Sequence, residues 1–454
     1  MAYTGERSVH PGHPGIPVPT LAAGWRAFQA LRRHRHILGA LAALHEELGD
    51  VFRLPLPGFD GVFLVGPEAN RFVLTEERAN FRWRAEADPV THLLRHGLLV
   101  EDGPAHDAAR SLMAPALHKT MLASYVSQMQ RRADQVIANW ADGDRVDMLV
   151  EMRRIALLIL MDTLFAEDFD PELKALWPAI LRTLRFISPG AWLVWPGIPR
   201  PGYREALRRM DQYFYQLIAL RRGQQGVDSK TNNLLDTLIA SGMSDDLIRD
   251  QLFTLFIAGH DTSTAQLAWS LYLLSTHQDI LARVRAELDS ALGKAGCEED
   301  AAGPTLTQLK QLSYLDGVLK ETLRLYPPIH LGSRIAATDL TFQGYFIPAR
   351  TRVLYSIYLT HRQKRYWPTP DRFEPDRFIG EHAGQRPAYA YTPFGGGPRN
   401  CIGASFAQLE AKVVLARILQ RFDLRFVGGA APSPRMRATL EPSPGVYVQV
   451  RRRP

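Results

Sequence analysis

The 454-residue chain is poor in cysteine, in lysine and in unbroken apolar sequence, and each shortage excludes something. Its two cysteines are Cys297 and Cys401. They stand in unlike surroundings, the first in the charged run Gly296-Cys297-Glu298-Glu299-Asp300. A disulfide framework is excluded, and a reducing intracellular compartment is expected. No stretch approaches the ~20 consecutive apolar residues that a membrane span needs. The best candidate, residues 155–166, is interrupted by Asp162. Residues 10–17 read His-Pro-Gly-His-Pro-Gly-Ile-Pro, an extended proline-rich lead-in and not a basic segment followed by an apolar run. The expectation is a cytoplasmic protein without a transmembrane anchor. Lysine supplies only eight of the 54 basic residues, and the formal charge is +7. The arginines are scattered, apart from Arg451-Arg452-Arg453 at the end. No basic element interleaved with aromatics offers a nucleic-acid footprint. With 46% hydrophobic and 22% charged residues, the composition is that of an ordinary globular protein and excludes a disordered chain.

Internal repeats and linkers rich in glycine, serine or proline are also missing; the candidates near 223–230 and 296–304 are short. Length alone suggests roughly three domains at ~150 residues each. The absence of linkers favours one large unit over 23–454, preceded by the lead-in at 1–22. Helical spacing runs through 23–48 on Trp25, Phe28, Leu31, Ile37, Leu38, Leu41, Leu44 and Leu48, and Gly49-Asp50 ends it. Two short strands are expected at 51–56 and 61–65 around Pro57-Gly58. Helical patterns dominate 104–326. The clearest is 244–276, free of proline and apolar on more than one face, as in a central buried helix. After Pro327-Pro328 come strands at 341–347 and 352–358, then a long irregular stretch at 361–400 of the kind that is often functional. A last helix over 402–421 and a terminal strand pair complete a mainly helical chain with small β-sheets.

The most informative segment is Phe394-Gly395-Gly396-Gly397-Pro398-Arg399-Asn400-Cys401-Ile402-Gly403. It puts a cysteine at the mouth of a helix after a loop whose glycines permit close backbone approach. Backbone N–H groups and the helix N-terminus directed at the sulfur favour a thiolate. Such a sulfur can ligate a metal or act as a nucleophile; alternatively it is a buried cysteine beside a tight turn.

The whole string resembles the haem-ligand loop of the cytochrome P450 family. Further motifs follow in that family's order. Ala258-Gly259-His260-Asp261-Thr262-Ser263 sits inside the long apolar helix, where an acid and hydroxyls are costly without a purpose. Thr262 is placed to bond back to the carbonyl of Ala258, and Gly259 removes bulk where something flat can lie. Glu321 and Arg324 share a helix face at i,i+3. The resemblance completes a buried triad with Arg377, from Phe373-Glu374-Pro375-Asp376-Arg377-Phe378, and gives it the structural role of locking the loop that carries Cys401. His106 and Arg110, four apart at the start of a helix, match the family's haem-propionate contacts, as do Arg334 and Arg399. Many members of the family have Trp where His106 stands.

The resemblance implies the P450 fold over nearly the whole chain and haem b on Cys401, with Phe394, Ala258 and Gly259 beside it. It implies a monooxygenase that inserts one oxygen atom from O2 into a lipophilic small molecule, with Thr262 holding oxygen and water and Asp261 relaying protons from solvent. A fused reductase module is not expected, and electrons are expected to come from NAD(P)H through a separate ferredoxin or flavodoxin with its reductase. A monomer is expected. Ile329, His330, Leu331, Leu93 and Leu94 are expected to line the substrate pocket. An apolar lid is expected at 186–203, with Trp192, Leu193, Val194 and Trp195 touching either the body or a membrane surface. Rival readings are a peroxide-driven relative of the same fold, a non-enzymatic haem sensor, and a haem-free hydrolase using Cys401 as nucleophile. The Asp261-Thr262 pair argues against the first two; the arginines and the triad argue against the third.

Overall fold

The computed structural model describes residues 13–188, 200–224, 233–293 and 303–453. The tip of the expected lid, with Trp192 to Trp195, and Cys297 lie outside them. Among the described residues, no helix is long and apolar enough to cross a membrane.

The central helix, Asp245–Thr276, is the axis of the molecule. Ser244 caps it by accepting from the Leu247 N–H at 3.3 Å, and Asp245 and Asp246 complement the positive end of its dipole. Nearly all its residues from Ile248 to Ser275 are buried, as the all-round apolar sequence requires. The helices Met148–Phe165, Tyr203–Gly223, Ser313–Leu325 and Ala404–Arg421 pack on it. They share one core that runs from Leu93 to Val450.

The β-structure sits at the edges. A five-stranded sheet has the order Val51–Leu56, Phe59–Leu64, Arg352–Tyr355, Gly332–Ala336, Phe81–Arg82. Only the pair Phe59–Leu64 and Arg352–Tyr355 is parallel. A second sheet joins Arg145–Asp147, Tyr447–Arg452 and Phe422–Phe426, and two hairpins complete the set.

Three expectations are corrected. The single helix over 23–48 is two, Leu21–His34 and Ile37–Leu48. Arg35 takes a left-handed conformation (φ 57°) after the first, and the His36 ring accepts from the Gly39 N–H to cap the second. The apolar spacing that joins them in sequence is not one buried face: the first helix meets the cluster with Ala23 and Ala27 and the second with Leu38, Leu41 and Leu44, while Trp25, Phe28 and Leu31 stay exposed. The strand over 341–347 is a hairpin, Leu340–Phe342 with Tyr345–Ile347, turning at Gln343-Gly344 where both φ are positive. The strand over 352–358 stops at Tyr355, where Ser356 caps a short helix, Ile357–Thr360. Strand Gly332–Ala336, directly after the residues read as pocket lining, is not among the expected strands.

Candidate active site

The cysteine loop is built on two left-handed glycines, Gly395 (φ 72°) and Gly397 (φ 64°). A β-carbon on Gly397 would stand 2.4 Å from the carbonyl oxygen of Leu74, whereas one on Gly395 meets nothing nearer than Asn400 Cα at 4.0 Å. The Cys401 N–H donates to the Phe394 carbonyl at 2.8 Å, closing the loop just before helix Ala404–Arg421. Gly397→Ala is therefore expected to cost clearly more than the ~1 kcal/mol of an unfavourable φ, and Gly395→Ala to cost only about that. Urea unfolding of the two variants measures the difference. Equal losses would show that the contact with Leu74 yields.

Cys401 is exposed at its surface but enclosed by protein on most sides. Burial pushes its thiol above the ordinary value, and the Gly403 N–H and the charge of Arg110 pull back less. Burial thus works against the thiolate expected from the backbone N–H groups and the helix N-terminus, of which the Gly403 N–H is seen to pull in the expected direction. The sulfur is a soft ligand whose proton leaves when a Lewis acid binds. This also disfavours a free nucleophile.

Space also reaches the middle of the central helix. Ala258 is exposed and Gly259 and Thr262 are half-buried, in a helix otherwise buried on all sides. Thr262 Oγ1 donates to the Ala258 carbonyl at 2.7 Å, as its position suggested. The Gly259 reading changes: its missing β-carbon would lie 2.7 Å from Leu160 Cδ1, so its smallness serves the packing of helix Met148–Phe165. Ser263, next to Thr262, donates to Glu410 at 2.7 Å and ties the central helix to the helix after Cys401.

Asp261 does not face solvent. It is buried, with Oδ1 taking a hydrogen bond from Arg153 at 3.0 Å and Oδ2 one from Thr439 at 2.9 Å. Arg153 also contacts the buried Glu441. Burial pulls the Arg153 guanidinium down, but Asp261 and Glu441 outweigh it and hold it above its ordinary value. Both oxygens of Asp261 are thus engaged, and the ion-pair chain runs on from Arg153 through Glu441 to the half-buried Arg437 at 3.4 Å, so the acid meets the surface through this chain and not directly.

Arg334, Arg110 and His106 gather about Arg399, and Arg334 and Arg399 both lie over Trp83. Arg334 is buried, its guanidinium 4.3 Å from the Trp83 ring and 5.4 Å from that of Tyr355. It donates to the Ser333 carbonyl (2.8 Å) and contacts the Tyr355 hydroxyl (3.4 Å); among the described residues it has no carboxylate partner. Arg399 bonds Asp102 at 2.9 Å and the carbonyls of Leu99 and Glu101, and burial pulls it down to about 10. His106 is buried beside Asp107 and is lowered first by burial and also by the charges of Arg399 and Arg110. Arg110 donates to Asn400 Oδ1 at 2.7 Å.

The triad is present. Arg324 makes two 2.7 Å bonds to Glu321, and both residues are fully buried. Arg377 Nε lies 3.4 Å from Glu321. The same guanidinium of Arg324 donates to the carbonyls of His361, Pro370 and Arg372. The lock thus acts on 361–377, and reaches the cysteine loop through Thr392 N–H on the His361 ring (2.9 Å) and the Tyr391 hydroxyl on the Lys320 carbonyl (3.0 Å).

Phe394 borders a cavity of about 240 Å³ between the central helix, helix Ser313–Leu325 and the 391–395 segment. Leu93 and Leu94 are fully buried core residues. Ile329 is exposed, Leu331 half-buried, and His330 buried and pushed down to about 4 by burial.

The profile of the family described as "Cytochrome P450" matches residues 16–450. The chain belongs to the cytochrome P450 family. It is 31% identical to cyclooctat-9-en-7-ol 5-monooxygenase of Streptomyces melanosporofaciens, over 84% of this chain and 84% of that protein. It is 30% identical to cyclooctatin synthase of the same organism, over 97% and 94%. The structure of retinoic acid-bound cyanobacterial CYP120A1 superposes with a TM-score of 0.78 at 28% identity, covering 90% of this chain and 93% of the other. The protein is a P450 monooxygenase of mainly helical fold, and the family implies haem.

The residues present fit that group. A soft sulfur faces accessible space, the central helix presents a small-residue strip, and buried Arg334 has no carboxylate partner for its charge among the described residues. A haem carries two carboxylates that such cations suit.

Several site residues carried little signal. Trp83, Asp102, Arg153 and Thr439 meet the motifs only through the fold. Glu410 was detectable as an acid on the apolar side of its helix, between Phe406, Leu409, Val413 and Val414. It is buried, pushed up to about 8 by burial, and its Oε1 has no partner among the described residues. Its folded value lies above the ordinary 4.5, so it subtracts stability as pH rises from about 4.5 to about 8. His260, His330 and His361 have the opposite sign. Burial lowers them from 6.5 to about 4, 4 and 3, so they subtract stability as pH falls below 6.5. Stability should peak near pH 6.5, and Glu410→Gln should remove the decline between 6.5 and 8. Urea midpoints at several pH values check this; an unchanged alkaline decline would mean that Glu410 is ionised in the fold.

Proposed function

We propose that this P450 inserts one oxygen atom from O2 into a lipophilic small molecule, by hydroxylation or epoxidation, within a single domain spanning 23–454 that works as a cytoplasmic monomer. The observation that carries the reading is the accessible Cys401 joined, through Ser263 and Glu410, to a central helix opened at Ala258 and Thr262. Electrons come from NAD(P)H through a ferredoxin or flavodoxin and its reductase. One relative is named as a 5-monooxygenase of cyclooctat-9-en-7-ol and another as a cyclooctatin synthase, and the structural neighbour holds retinoic acid. These names support a lipophilic substrate.

Bound haem b would supply oxygen activation, with thiolate ligation favouring O–O cleavage. Cys401 would hold it from one side, and Phe394, Ala258 and Gly259 would border it. Arg334, Arg399, Arg110 and His106 would take its carboxylates. Thr262 would turn its hydroxyl from the Ala258 carbonyl to hold a proton and a water at the reacting oxygen. Asp261, fixed by Arg153 and Thr439, would hold that turn of helix in place. Ile329, His330 and Leu331, together with Leu93 and Leu94, would shape the pocket, the neutral His330 orienting a polar group.

Turnover under ¹⁸O₂ with a surrogate ferredoxin and reductase tests the reading. Labelled product is expected from substrates that shift the haem band toward high spin. The Asp261-Thr262 pair favours oxygen over peroxide; faster turnover with peroxide alone would favour the peroxygenase reading, and no turnover by either route a sensor.

A further inference from the structure

The first helix, Leu21–His34, is packed inside out. Its buried residues are Ala23 and Ala27, and its large apolar residues face outward. Leu21 is 96% exposed, Trp25 59%, Phe28 45% and Leu31 37%. Spacings of four, three and three put them on one stripe. Trp25 and Phe28 touch, with ring centroids 5.6 Å apart. Val18 and Ile37, both exposed, extend the apolar surface at the two ends. Six of the eleven large exposed hydrophobics among the described residues thus lie within 18–37, so this is a patch and not scatter.

The helix that carries the stripe has charge of one sign only. Residues 21–36 include Arg26, Arg32, Arg33 and Arg35 and no acid. Arg26 is paired with Glu47 of the next helix. Arg32 lies over the Phe28 ring at 6.0 Å, so charge and apolar surface are presented together. The helix is anchored by its alanine face to a cluster that also holds Leu331, which places it on the side of the molecule where residues 329–331 emerge.

We propose that this helix docks the protein onto an anionic lipid surface, lying in the interface without spanning it. An amphipathic helix with Trp, Phe and Leu on one side and arginines around them has the chemistry of an interfacial anchor. Arginines near an anionic leaflet add an attraction that salt screens. A protein groove of the usual kind would want complementary acids and a shaped surface; the stripe is a single convex helix with none. Docking needs no knowledge of the substrate, so it stands or falls apart from the reading of the pocket.

The test is co-sedimentation of the full-length holoenzyme with vesicles of phosphatidylcholine alone and with about 30% phosphatidylglycerol. Binding is expected to be at least ~10-fold tighter to the anionic vesicles and to weaken with added salt. Trp25→Ser with Phe28→Ser should lose ~10-fold or more on both vesicle types, with the haem band and urea midpoint unchanged because both side chains are exposed. Arg32→Glu with Arg33→Glu should lose only the preference for anionic lipid. Equal binding by the wild type and the stripe variant overturns the proposal, as does no binding to anionic vesicles. A dimer that the stripe variant abolishes, without vesicle binding, would give the face to a second copy and also overturn it.

Discussion

Glu321→Ala is expected to leave little haem-loaded, folded protein. The carboxylate accepts both directed bonds of a fully buried Arg324, faces Arg377 at 3.4 Å, and takes the Glu374 N–H at 3.1 Å. Its removal strands a buried cation whose remaining partners are carbonyls. Breaking a buried pair by deleting one member costs about 3–5 kcal/mol, against a total stability of about 5–15 kcal/mol. Neither side chain is exposed, so solvent screening gives no discount. The urea midpoint and the haem content per protein measure the effect. The double variant Glu321→Leu with Arg324→Leu separates two roles. If the pair mattered only through its charges, an apolar replacement would be nearly neutral. Here Arg324 also holds the carbonyls of His361, Pro370 and Arg372, which the double variant leaves without those donors. We expect it to fail as well. Recovery of wild-type stability and haem content in that variant would refute the role of loop organiser.

Thr262→Ala should leave the fold intact and damage the reaction. The hydroxyl bonds only the Ala258 carbonyl of its own helix, and that carbonyl is also in reach of the helical N–H of residue 262, so little stability is lost. A positioned proton donor or acceptor is worth about 10²–10⁴-fold in rate. The loss should appear as uncoupling: electrons from the redox pair continue to be consumed, product per electron falls about tenfold or more, and peroxide accumulates. Thr262→Ser should restore most of the coupling because it keeps the hydroxyl. Undiminished product per electron in the alanine variant would remove Thr262 from the reaction. The same measurement on Asp261→Asn reads a different effect, since both its oxygens are committed to Arg153 and Thr439. That variant weakens a buried ion pair, and its unfolding midpoint should move together with its coupling.

What the sequence determined by itself was local. The run from Phe394 to Gly403 contains both left-handed glycines, the turn and the cysteine within ten residues, so adjacency alone assembles the loop. The i,i+3 pair Glu321 and Arg324 and the i,i+4 bond from Thr262 to Ala258 are set by the 3.6-residue period of a helix, and the apolar content of 244–276 dictates its burial. The tertiary structure decided whatever depends on partners distant in sequence. It put Arg153 and Thr439 on Asp261, so that the acid meets the surface only by way of partners far away in sequence, Arg153, Glu441 and Arg437. It aimed Gly259 at Leu160, because only the approach of helix Met148–Phe165 defines what that glycine makes room for. It surrounded Cys401 closely enough that burial outweighs the Gly403 N–H and the charge of Arg110 on its thiol. It also turned Leu21–His34 so that alanines face the core and Trp25 and Phe28 face out. The apolar period of a helix shows that a stripe exists, but not whether the protein or something outside it covers that stripe.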